Sequence, residues 1–597
     1  MSKALFTFTI GPVKSFVNNG RKMRDLYAGS SILSDLTAYA MECVKGLKGF
    51  ELVFPHLLDM DQTTVRSYPN RLVISVEEDC TNGEKRDIVA DAKDIEKKVR
   101  EKFKSLCLEI LEGCSEQPKE NVLALEKGGK AWSQPWATQQ IESFLEVYWT
   151  FEPFEKDGKI REYGEVYQQL NKNLMSIKNL RPFKQTFESG GRKCGLHLEY
   201  NALFYKEKKA FLDEGSTYQL PDIAKFDYLV QDDETLSAIA FVKRFYEKTE
   251  HFLYSHRDMV FRKRLACDYP ENPSWYEDYV DGCVDEKEVH RAGKITSIID
   301  AIFDHYPQLV SSPQVTNTAA IKEAKSIIKQ IKADIPNLKL KSYYAMLKFD
   351  GDSMGEVYRK FAKQDEHEDL SSKICKFAIE ASELIKNVGG ICIYAGGEDI
   401  LAALPLEEIW SILEKLHCTF RKQVKIDGQP EITFSAGIVV AHLMEPLKDV
   451  MYQLDQAEGY AKKYPGKNAF AIKLMKRAGE YREIRYGFDH TKQYKALDDF
   501  RKMLADLEEE AYSKSFLTTM IGLVEQLPED ASWEMIKVLI KAGLGRQSFK
   551  SDELKGKVLE RIEIFYHKSE SVDNFLNTLD MVRFLASNAI IHQGGDS

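Results

Sequence analysis

Two adjacent carboxylates lie between short apolar runs in the second half of the sequence. The apolar runs flank Gly396 and Gly397, a pattern that predicts two strands joined by a tight β-hairpin turn. The tip of this hairpin carries Glu398 and Asp399. Neighbouring carboxylates repel each other unless a positive charge lies beside them. Because Mg²⁺ binds to one or two carboxylates together with substrate phosphates, a divalent cation fits this position.

A third acid is predicted to lie beside the hairpin. Residues 343–349 form an apolar run that predicts a buried strand ending at Asp350, and residues 370–387 have helical apolar spacing. A strand, a helical crossover and the hairpin would bring Asp350 next to Glu398 and Asp399 on neighbouring strands. Three carboxylates at strand ends are typical of the two-metal site of a nucleotidyl-transfer palm.

The segment after the hairpin predicts a helix, a strand, a helix that begins at a proline, and a turn with a last strand, over residues 407–425, 431–440, 446–464 and 465–473. Together with the preceding elements this is the β-α-β-β-α-β order of a ferredoxin-like palm. Lys462 and Lys467 lie late in this order, where they are candidate ligands for substrate phosphates.

Other interpretations of the acidic motifs fit less well. A calcium loop that begins at Asp350 would have Met354 at its fifth position and Phe361 at its twelfth, where oxygen ligands are required. A phosphate-binding P-loop is excluded because the sequence contains no GxxxxGK[ST] motif. A scaffold with an inactive palm remains a third alternative, although an inactive site has no need of acids that repel each other.

Four motifs in this region resemble a known family. FDGDSMG, YAGGEDILA, SAGIVVAH and AKKYPGKNAF are similar to the polymerase/cyclase palm in the large subunit of type III CRISPR effector complexes, which is itself similar to GGDEF diguanylate cyclases. The opening FTIGPVKSFVNNGRKMRDLYAGS, together with YPNRLV and ETLSAIAFVKR, resembles the type III-B, Cmr-type version. The motifs occur in the family's order along most of the chain.

The resemblance implies roles for the acids. Asp350 and Glu398 would bridge two Mg²⁺ or Mn²⁺ ions, assisted by Asp399 and the carbonyl of Gly351. The hairpin departs from the family's usual GGDD because Glu398 stands where an aspartate is common. One additional methylene moves this carboxylate by about a bond length, and we expect activity to be retained, since GGDEF cyclases accept either acid there.

The remaining candidate contacts to the nucleotide surround these acids. They are Asp352 and Ser353 in the FDGDSMG turn, Gly396 and Gly397 in the hairpin, and the two lysines Lys462 and Lys467.

The first residues of the chain predict a second, degenerate palm. Residues 3–10 alternate like a strand and end at Gly11, after which a basic helix begins. No acid stands at this turn. In the resembled family such a domain holds a second nucleotide, and Ser15 could offer its hydroxyl and backbone N–H to a phosphate. The alternative is that Ser15 only caps the helix.

The predicted fold is therefore α+β, with two ferredoxin-like palms of the GGDEF and adenylyl-cyclase type, a helical middle domain and an all-α C-terminal bundle. We predict a degenerate palm with a helical insertion over residues 1–215, a middle domain over 216–335, the catalytic palm over 336–494 and the bundle over 495–597.

The resemblance implies an RNA-activated nucleotidyltransferase that makes cyclic oligoadenylate from ATP. An alternative acceptor is S-adenosylmethionine, since acceptor choice depends on the shape of the pocket. The implied partners are the other subunits of a type III-B complex, with guide RNA and target RNA. No His-Asp dipeptide occurs in the sequence, so we expect no HD nuclease activity.

Composition limits the remaining possibilities. A net charge of −10 argues against a general polyanion-binding surface, so RNA contacts would require local basic patches such as Lys243, Arg244 and residues 262–264. The ten cysteines contain no CxxC pair. Cys194, Cys267 and Cys283 therefore do not predict the zinc site found in many relatives. No apolar run is long enough to cross a bilayer, and we expect a cytoplasmic protein.

Residues 84–180 are charged and predict a helix-rich region in which we find no candidate catalytic or binding residues. Trp132, Trp136 and Trp149 are expected to anchor its packing.

Overall fold

The computed structural model describes most of both predicted palms and of the C-terminal region. The described ranges are 3–56, 67–77, 86–113, 134–180, 188, 191–205, 218–219, 230, 234–246, 256, 259–260, 263, 343–426, 428–491, 494–508, 512–528, 531–546 and 552–588. The middle domain predicted over residues 216–335 lies almost entirely outside these ranges, as do Cys267 and Cys283. Within the described ranges, no helix combines the length and the apolar character needed to cross a membrane.

The first half of the chain forms a four-stranded sheet covered by helices. Its main elements in chain order are β1 (Lys3–Gly11), α1 (Lys14–Asn18), α2 (Met23–Lys45), β2 (Phe50–Phe54), β3 (Arg71–Glu77), α3 (Ile88–Gly113), α4 (Gln134–Phe144), β4 (Glu146–Pro153), α5 (Tyr163–Asn179) and α6 (Ala238–Phe245). Short strands add a hairpin of β5 (Glu155–Lys156) with β6 (Lys159–Ile160), and a small sheet of β7 (Phe204–Tyr205), β8 (Tyr218–Gln219) and β9 (Thr235–Leu236).

The second half contains a six-stranded sheet and its helices. The elements are β10 (Tyr343–Gly351), α7 (Met354–Arg359), α8 (Gln364–Asn387), β11 (Ile391–Gly396), β12 (Asp399–Pro405), a 3₁₀ turn (Leu406–Glu408), α9 (Ile409–Gln423), β13 (Phe434–His442), α10 (Leu447–Ala461), β14 (Ala469–Met475) and β15 (Tyr481–Gly487). A two-stranded hairpin of β16 (Asp489–Thr491) and β17 (Tyr494–Lys495) follows.

The two main sheets have the same topology. The first sheet has the order β2-β3-β1-β4, and the second has β11-β12-β10-β13 followed by β14 and β15. In both, the first strand pairs antiparallel with two neighbours and the hairpin completes one side. Both sheets therefore have the ferredoxin-like strand order that the sequence predicts for a palm.

Two strands of the main sheets differ from the prediction. The segment 146–153 was predicted to be part of a helix-rich region, but it forms β4, and Trp149 lies on this strand. Its run of aromatic and β-branched residues (EVYWTFEP) is typical of a strand. The strand predicted to end near Lys473 is not the last of the second sheet, because β15 pairs antiparallel with it.

The two palms share a hydrophobic core. Phe8 and Phe16 of the first palm belong to the same buried cluster as Met346 of β10 and Met451 of α10. Because successive side chains of a strand point to opposite faces, Lys348 and Asp350 continue the face of β10 that carries Met346. The polar end of β10 is therefore directed along the face where the two palms meet.

The C-terminal region is helical, as predicted. It consists of α11 (Ala496–Glu508), α12 (Lys514–Val524), α13 (Trp533–Leu544), α14 (Asp552–Lys568) and α15 (Val572–Asn588). The bundle is joined to the second palm by polar contacts: Asp580 of α15 pairs with Lys476 at 2.5 Å, and the hydroxyl of Tyr486 lies 2.7 Å from that of Thr578.

The prediction that Lys243 and Arg244 contact RNA or a partner is wrong, because both side chains are fully buried. The Lys243 ammonium donates hydrogen bonds to main-chain carbonyls of α1 and of the residue that follows it, Asn19, the last at 2.6 Å. Arg244 pairs with Asp25 at 2.6 Å and with Glu234 at 2.9 Å. Lys263 pairs with Glu408 at 2.5 Å, and Arg262 and Arg264 lie outside the described residues.

Candidate active site

The hairpin of β11 and β12 closes with a two-residue turn. Gly396 pairs with Asp399, so Gly397 and Glu398 form the turn. Gly397 has a φ of 84°, a left-handed conformation that glycine adopts without strain. The Tyr394 hydroxyl donates a hydrogen bond to the Gly396 carbonyl at 2.9 Å and fixes the start of the turn. This geometry places the two acids where the sequence predicts them.

The end of β10 lies against this turn. β10 pairs antiparallel with β12 from Tyr344 to Phe349, so Asp350 follows the last paired residue. A Cβ atom on Gly351 would lie 3.0 Å from the Cβ of Glu398. The absence of a side chain at Gly351 therefore allows the hairpin to approach the strand end, and Asp350, Glu398 and Asp399 come together as predicted.

The three carboxylates influence one another strongly. Burial, followed by the charge of Asp350, raises the pKa of Glu398 to about 7. Burial, a hydrogen bond with Asp350 and the charge of Glu398 raise the pKa of Asp399 well above its usual value. Asp399 has an exposed surface and Glu398 a partly exposed one, so solvent reaches both residues although protein surrounds most of each carboxyl group.

Asp350 is the acid of the cluster whose ionised form is favoured by its contacts. Burial opposes its ionisation, but its hydrogen bonds with Asp399 and with the Lys462 ammonium outweigh this effect and hold the pKa of Asp350 below its usual value. Lys462 forms an ion pair with Asp350 and a second one with Glu458 at 2.7 Å. The ammonium of Lys462 thus neutralises one of the three repelling acids.

The acid cluster fits a divalent cation. Repelling carboxylates in a crowded cleft are stabilised by positive charge, and a single lysine contacts only Asp350. Among the described residues, no group of three or more His, Cys, Asp or Glu side chains has the arrangement of a complete metal-ligand set. An ion such as Mg²⁺ would need only one or two of these carboxylates, because it completes its coordination with water and substrate oxygens.

Asp352 has a structural role, unlike Asp350. Its carboxylate accepts hydrogen bonds from Thr433 and Ser435, both at 2.8 Å, and from the backbone N–H of Asn468 at 3.0 Å. These bonds join the end of β10 to β13 and to the turn before β14. Since the carboxylate is occupied within the fold, we do not retain Asp352 among the nucleotide contacts.

Ser353 and Lys467 come together beside this turn. The Lys467 ammonium donates a hydrogen bond to the Ser353 hydroxyl at 2.7 Å. Ser353 has a φ of 57° and Lys467 a φ of 58°, a conformation uncommon for residues with side chains. Lys467 is partly buried, and its neighbour Asn468 donates its backbone N–H to Asp352, the residue before Ser353.

Sequence reasoning missed three charged residues behind the acids. Lys348 on β10 pairs with Asp455 at 2.7 Å and with Glu458 at 2.8 Å, both on α10. A Cβ atom on Gly437 would lie 2.3 Å from the backbone nitrogen of Glu458, so this glycine allows α10 to lie directly on the sheet. A lysine inside the apolar run YYAMLKFD was the signal that could have revealed the network.

A cavity of about 940 Å³ lies beside the β1–α1 turn of the first palm and reaches α10 of the second. Its lining includes Gly11 and Ser15, as well as Lys14, Lys448 and Asp455. Four asparagines and the aromatic rings of two tyrosines complete much of the wall: Asn18, Asn19, Asn70, Asn179, Tyr148 and Tyr452. The cavity combines cations, amides and ring faces, which are the groups that bind phosphates and bases.

Ser15 does not cap α1. The capping position of this helix is Val13, and no side chain makes a capping hydrogen bond there. Of the two alternatives from the sequence, simple helix capping by Ser15 is therefore wrong, and the residue instead lines the cavity.

Two family models match the chain. Residues 343–471 match the family described as Cas10/Cmr2, second palm domain. Residues 5–108 match the family described as CRISPR-associated protein Cmr2, N-terminal. The first match runs from β10 to the first residues of β14 and therefore includes all three acids of the cluster.

The chain is also similar to a characterised relative and to solved structures. It is 23% identical to the CRISPR system Cmr subunit Cmr2 of Pyrococcus furiosus, over 94% of this chain and 71% of that protein. It superposes on a chain of the type III-B Cmr-beta structure bound to cognate target RNA with a TM-score of 0.63 and 13% identity, covering 98% and 83% of the two chains. For the apo state of Cmr-beta the TM-score is 0.58 with 13% identity, covering 92% and 78%.

Proposed function

This chain is a Cmr-type member of the Cas10/Cmr2 family, and we propose that it is a nucleotidyltransferase that makes cyclic oligoadenylate from ATP. The observation that carries the proposal is the convergence of Asp350, Glu398 and Asp399 at one end of β10 and β12. Clustered acids whose pKa values are pushed apart indicate a functional site rather than a structural one.

Asp350, Glu398 and Asp399, with the Gly351 carbonyl, are the groups that would hold the divalent ions. When bound, such ions lower the pKa of an attacking ribose 3′-hydroxyl and neutralise the leaving pyrophosphate. In the reaction the 3′-oxygen forms a bond to the α-phosphorus of a second ATP, the bond to pyrophosphate breaks, and the hydroxyl proton leaves to solvent.

The residues of this chain orient the donor nucleotide. Lys467, held by Ser353 at 2.7 Å, provides a positive charge for the β- and γ-phosphates. Lys462 contacts Asp350 and Glu458, and a phosphate entering the cleft would compete for the same ammonium. A lysine acts on phosphates as a mobile point charge. Gly396 and Gly397 leave room at the hairpin for the nucleotide to approach the acids.

The first-palm cavity is proposed to bind the acceptor nucleotide. Gly11 and Ser15 lie on its wall beside Lys14, which is 71% exposed. Tyr452 is exposed and lies on the opposite wall, contributed by α10. Stacking on an exposed ring is a common and sequence-tolerant way to hold a base. The two nucleotides would then lie along the same face of α10, which lines the cavity with Asp455 and contacts the acid cluster through Lys462.

The protein is proposed to act inside a type III complex with other Cmr subunits, guide RNA and target RNA. The characterised relative is named a subunit of a Cmr system, and the superposable Cmr-beta structure is bound to cognate target RNA. RNA binding would switch the palm on.

The test is to identify the products of the assembled complex by mass spectrometry. The complex receives target RNA, Mg²⁺ and ATP, with and without S-adenosylmethionine. We expect adenylate rings linked 3′ to 5′ in both samples, dependent on target RNA. An adenylylated S-adenosylmethionine without rings would replace the proposed acceptor but keep the chemistry.

The matched control is a complex carrying Asp350→Ala, or Glu398→Ala with Asp399→Ala. Each should assemble normally and form no product. Product at parental levels from either variant would remove the acid cluster from the reaction, and the palm would then be a scaffold.

A further inference from the structure

A continuous series of ion pairs joins the first-palm cavity to the acid cluster. Its members, in spatial order, are Lys14, Asp455, Lys348, Glu458, Lys462 and Asp350, which we call the charge ladder. Lys14 pairs with Asp455 at 2.7 Å, and the next three contacts measure 2.7, 2.8 and 2.7 Å. Positive and negative groups alternate along the whole series.

The ladder is built on one face of α10. Asp455, Glu458 and Lys462 are spaced i, i+3 and i+7, so they lie on the same side of this helix or at its end. Lys348 of β10 lies opposite and contacts both acids of the helix. The side chains of Asp455 and Glu458 are only 14% and 13% exposed, so solvent screens these pairs less than surface pairs.

The two ends of the ladder lie in different sites. Lys14 and Asp455 line the cavity of the first palm. Asp350 belongs to the acid cluster and forms an ion pair with the Lys462 ammonium. Each interior member has two partners of opposite charge, so a change at one end alters how the next group divides its contacts.

We propose that the charge ladder couples the two sites. An anion in the cavity draws Lys14 away from Asp455, which leaves Lys348 as the ion-pair partner of that acid. Lys348 then moves from Glu458 toward Asp455, Glu458 takes a larger share of Lys462, and the contact of Lys462 with Asp350 weakens. Asp350 becomes available to a divalent cation. Asp455 and Lys348 are thus positioning residues, and this inference rests on the proposed function.

The test measures Mn²⁺ binding to the full chain by the electron paramagnetic resonance signal of free Mn²⁺, without turnover. Lys14→Met imitates the withdrawal of this lysine and should tighten Mn²⁺ binding about two- to fivefold, the range expected for loss of one ion-pair step. Lys14→Arg keeps the pair and should bind Mn²⁺ like the parent.

The matched control is Lys448→Met. Lys448 lines the same cavity and is not ion-paired with any described residue, so its removal changes the net charge equally without touching the ladder. A second control places Lys14→Met in a Lys462→Met background. There the ladder is already cut beside Asp350, and Lys14→Met should have no further effect on Mn²⁺ binding.

The outcomes separate the two hypotheses. The coupling would be overturned if Lys14→Met and Lys448→Met changed Mn²⁺ affinity equally. It would also be overturned if Lys14→Met tightened Mn²⁺ binding as much in the Lys462→Met background as in the parent. In both cases Mn²⁺ binding itself would persist. If Asp350→Asn binds as much Mn²⁺ as the parent, or if the parent binds none, the metal-dependent function is wrong, and the coupling is wrong with it.

Discussion

Asp350 and Asp352 are separated by one glycine, yet their carboxylates bond to different parts of the palm. Asp350 contacts Lys462 and Asp399 in the acid cluster. Asp352 accepts hydrogen bonds from Thr433, Ser435 and Asn468 within the fold. The motif FDGDSMG therefore contains one acid of the proposed catalytic cluster and one whose hydrogen bonds lie within the fold.

Substituting these acids separately should give opposite results. Asp350→Asn should lower product formation by about 10²-fold or more, as for the loss of one electrostatic stabiliser, and should change the unfolding midpoint little. Asp352→Asn removes a charged acceptor from three donors and should lower the free energy of unfolding by about 1–3 kcal/mol. Urea unfolding and product analysis measure the two effects. An Asp352→Asn chain of parental stability that makes no product would restore Asp352 to the nucleotide site.

Gly351→Ala should disturb the geometry of the acid cluster by steric contact, without changing its charge. The new methyl group would lie 2.9 Å from Cγ of Met354 and 3.0 Å from Cβ of Glu398, so these side chains or the hairpin that carries Glu398 must shift. We expect weaker Mn²⁺ binding and at least tenfold less product, because small misplacements at a reacting centre are costly.

Gly355→Ala is the control for this substitution. Gly355 lies four residues later in the same motif, and a Cβ atom there would meet no atom within 4 Å. It should leave Mn²⁺ binding and product formation near parental levels. Equal losses in both variants would show that the motif tolerates no added methyl group, and would remove the special role of Gly351.

Lys467→Met should raise the Michaelis constant for ATP and leave the identity of the product unchanged. The methionine keeps most of the apolar stem but removes the charge held by Ser353. Lys463→Met provides the comparison, because Lys463 is an exposed lysine close by in the same AKKYPGKN segment. If both variants use ATP like the parent, Lys467 is only a surface charge near a helix end.

The strands of the second palm could be predicted from the sequence because the patterns that specify them are local. Alternating apolar runs, a Gly-Gly turn and adjacent acids predict β10 to β12, and the structure has the same pairing. The charge ladder could not be predicted from the sequence, because the contact of Lys348 with Asp455 joins residues 107 positions apart. Sequence spacing reveals pairs within one helix, whereas contacts between elements depend on packing.

The error at Lys243 and Arg244 has the same origin. Charged residues near a helix end are usually solvated, and the sequence KRF gives no sign of burial. Burial becomes possible only because distant groups compensate for it: Asp25 and Glu234 surround Arg244, and carbonyls of residues 16–19 surround Lys243. Such compensation is a property of the folded chain.

The buried Lys243 should make the stability of the first palm depend on pH. Desolvation by burial, outweighing the attraction of Asp25, lowers the pKa of Lys243 to about 7, from 10.5 in its ordinary state. Between these two values the unfolded chain keeps this proton while the folded chain releases it. The free energy of unfolding should therefore rise as the pH increases above 7, and the full cost of burying the ammonium is present below pH 7.

The comparison of parent with Lys243→Met isolates this contribution, since all other titrating groups are shared. The free energy of unfolding of the parent minus that of Lys243→Met should increase from pH 7 to pH 9, with a slope that approaches about 1.4 kcal/mol per pH unit for one proton. Urea unfolding followed by tryptophan fluorescence at pH 7, 8 and 9 gives the three differences. Lys448→Met, at an exposed lysine, should have a free energy of unfolding that changes with pH in the same way as that of the parent. If Lys243→Met also runs parallel, Lys243 keeps its proton in the folded chain, held by the carbonyls of Phe16, Val17 and Asn19.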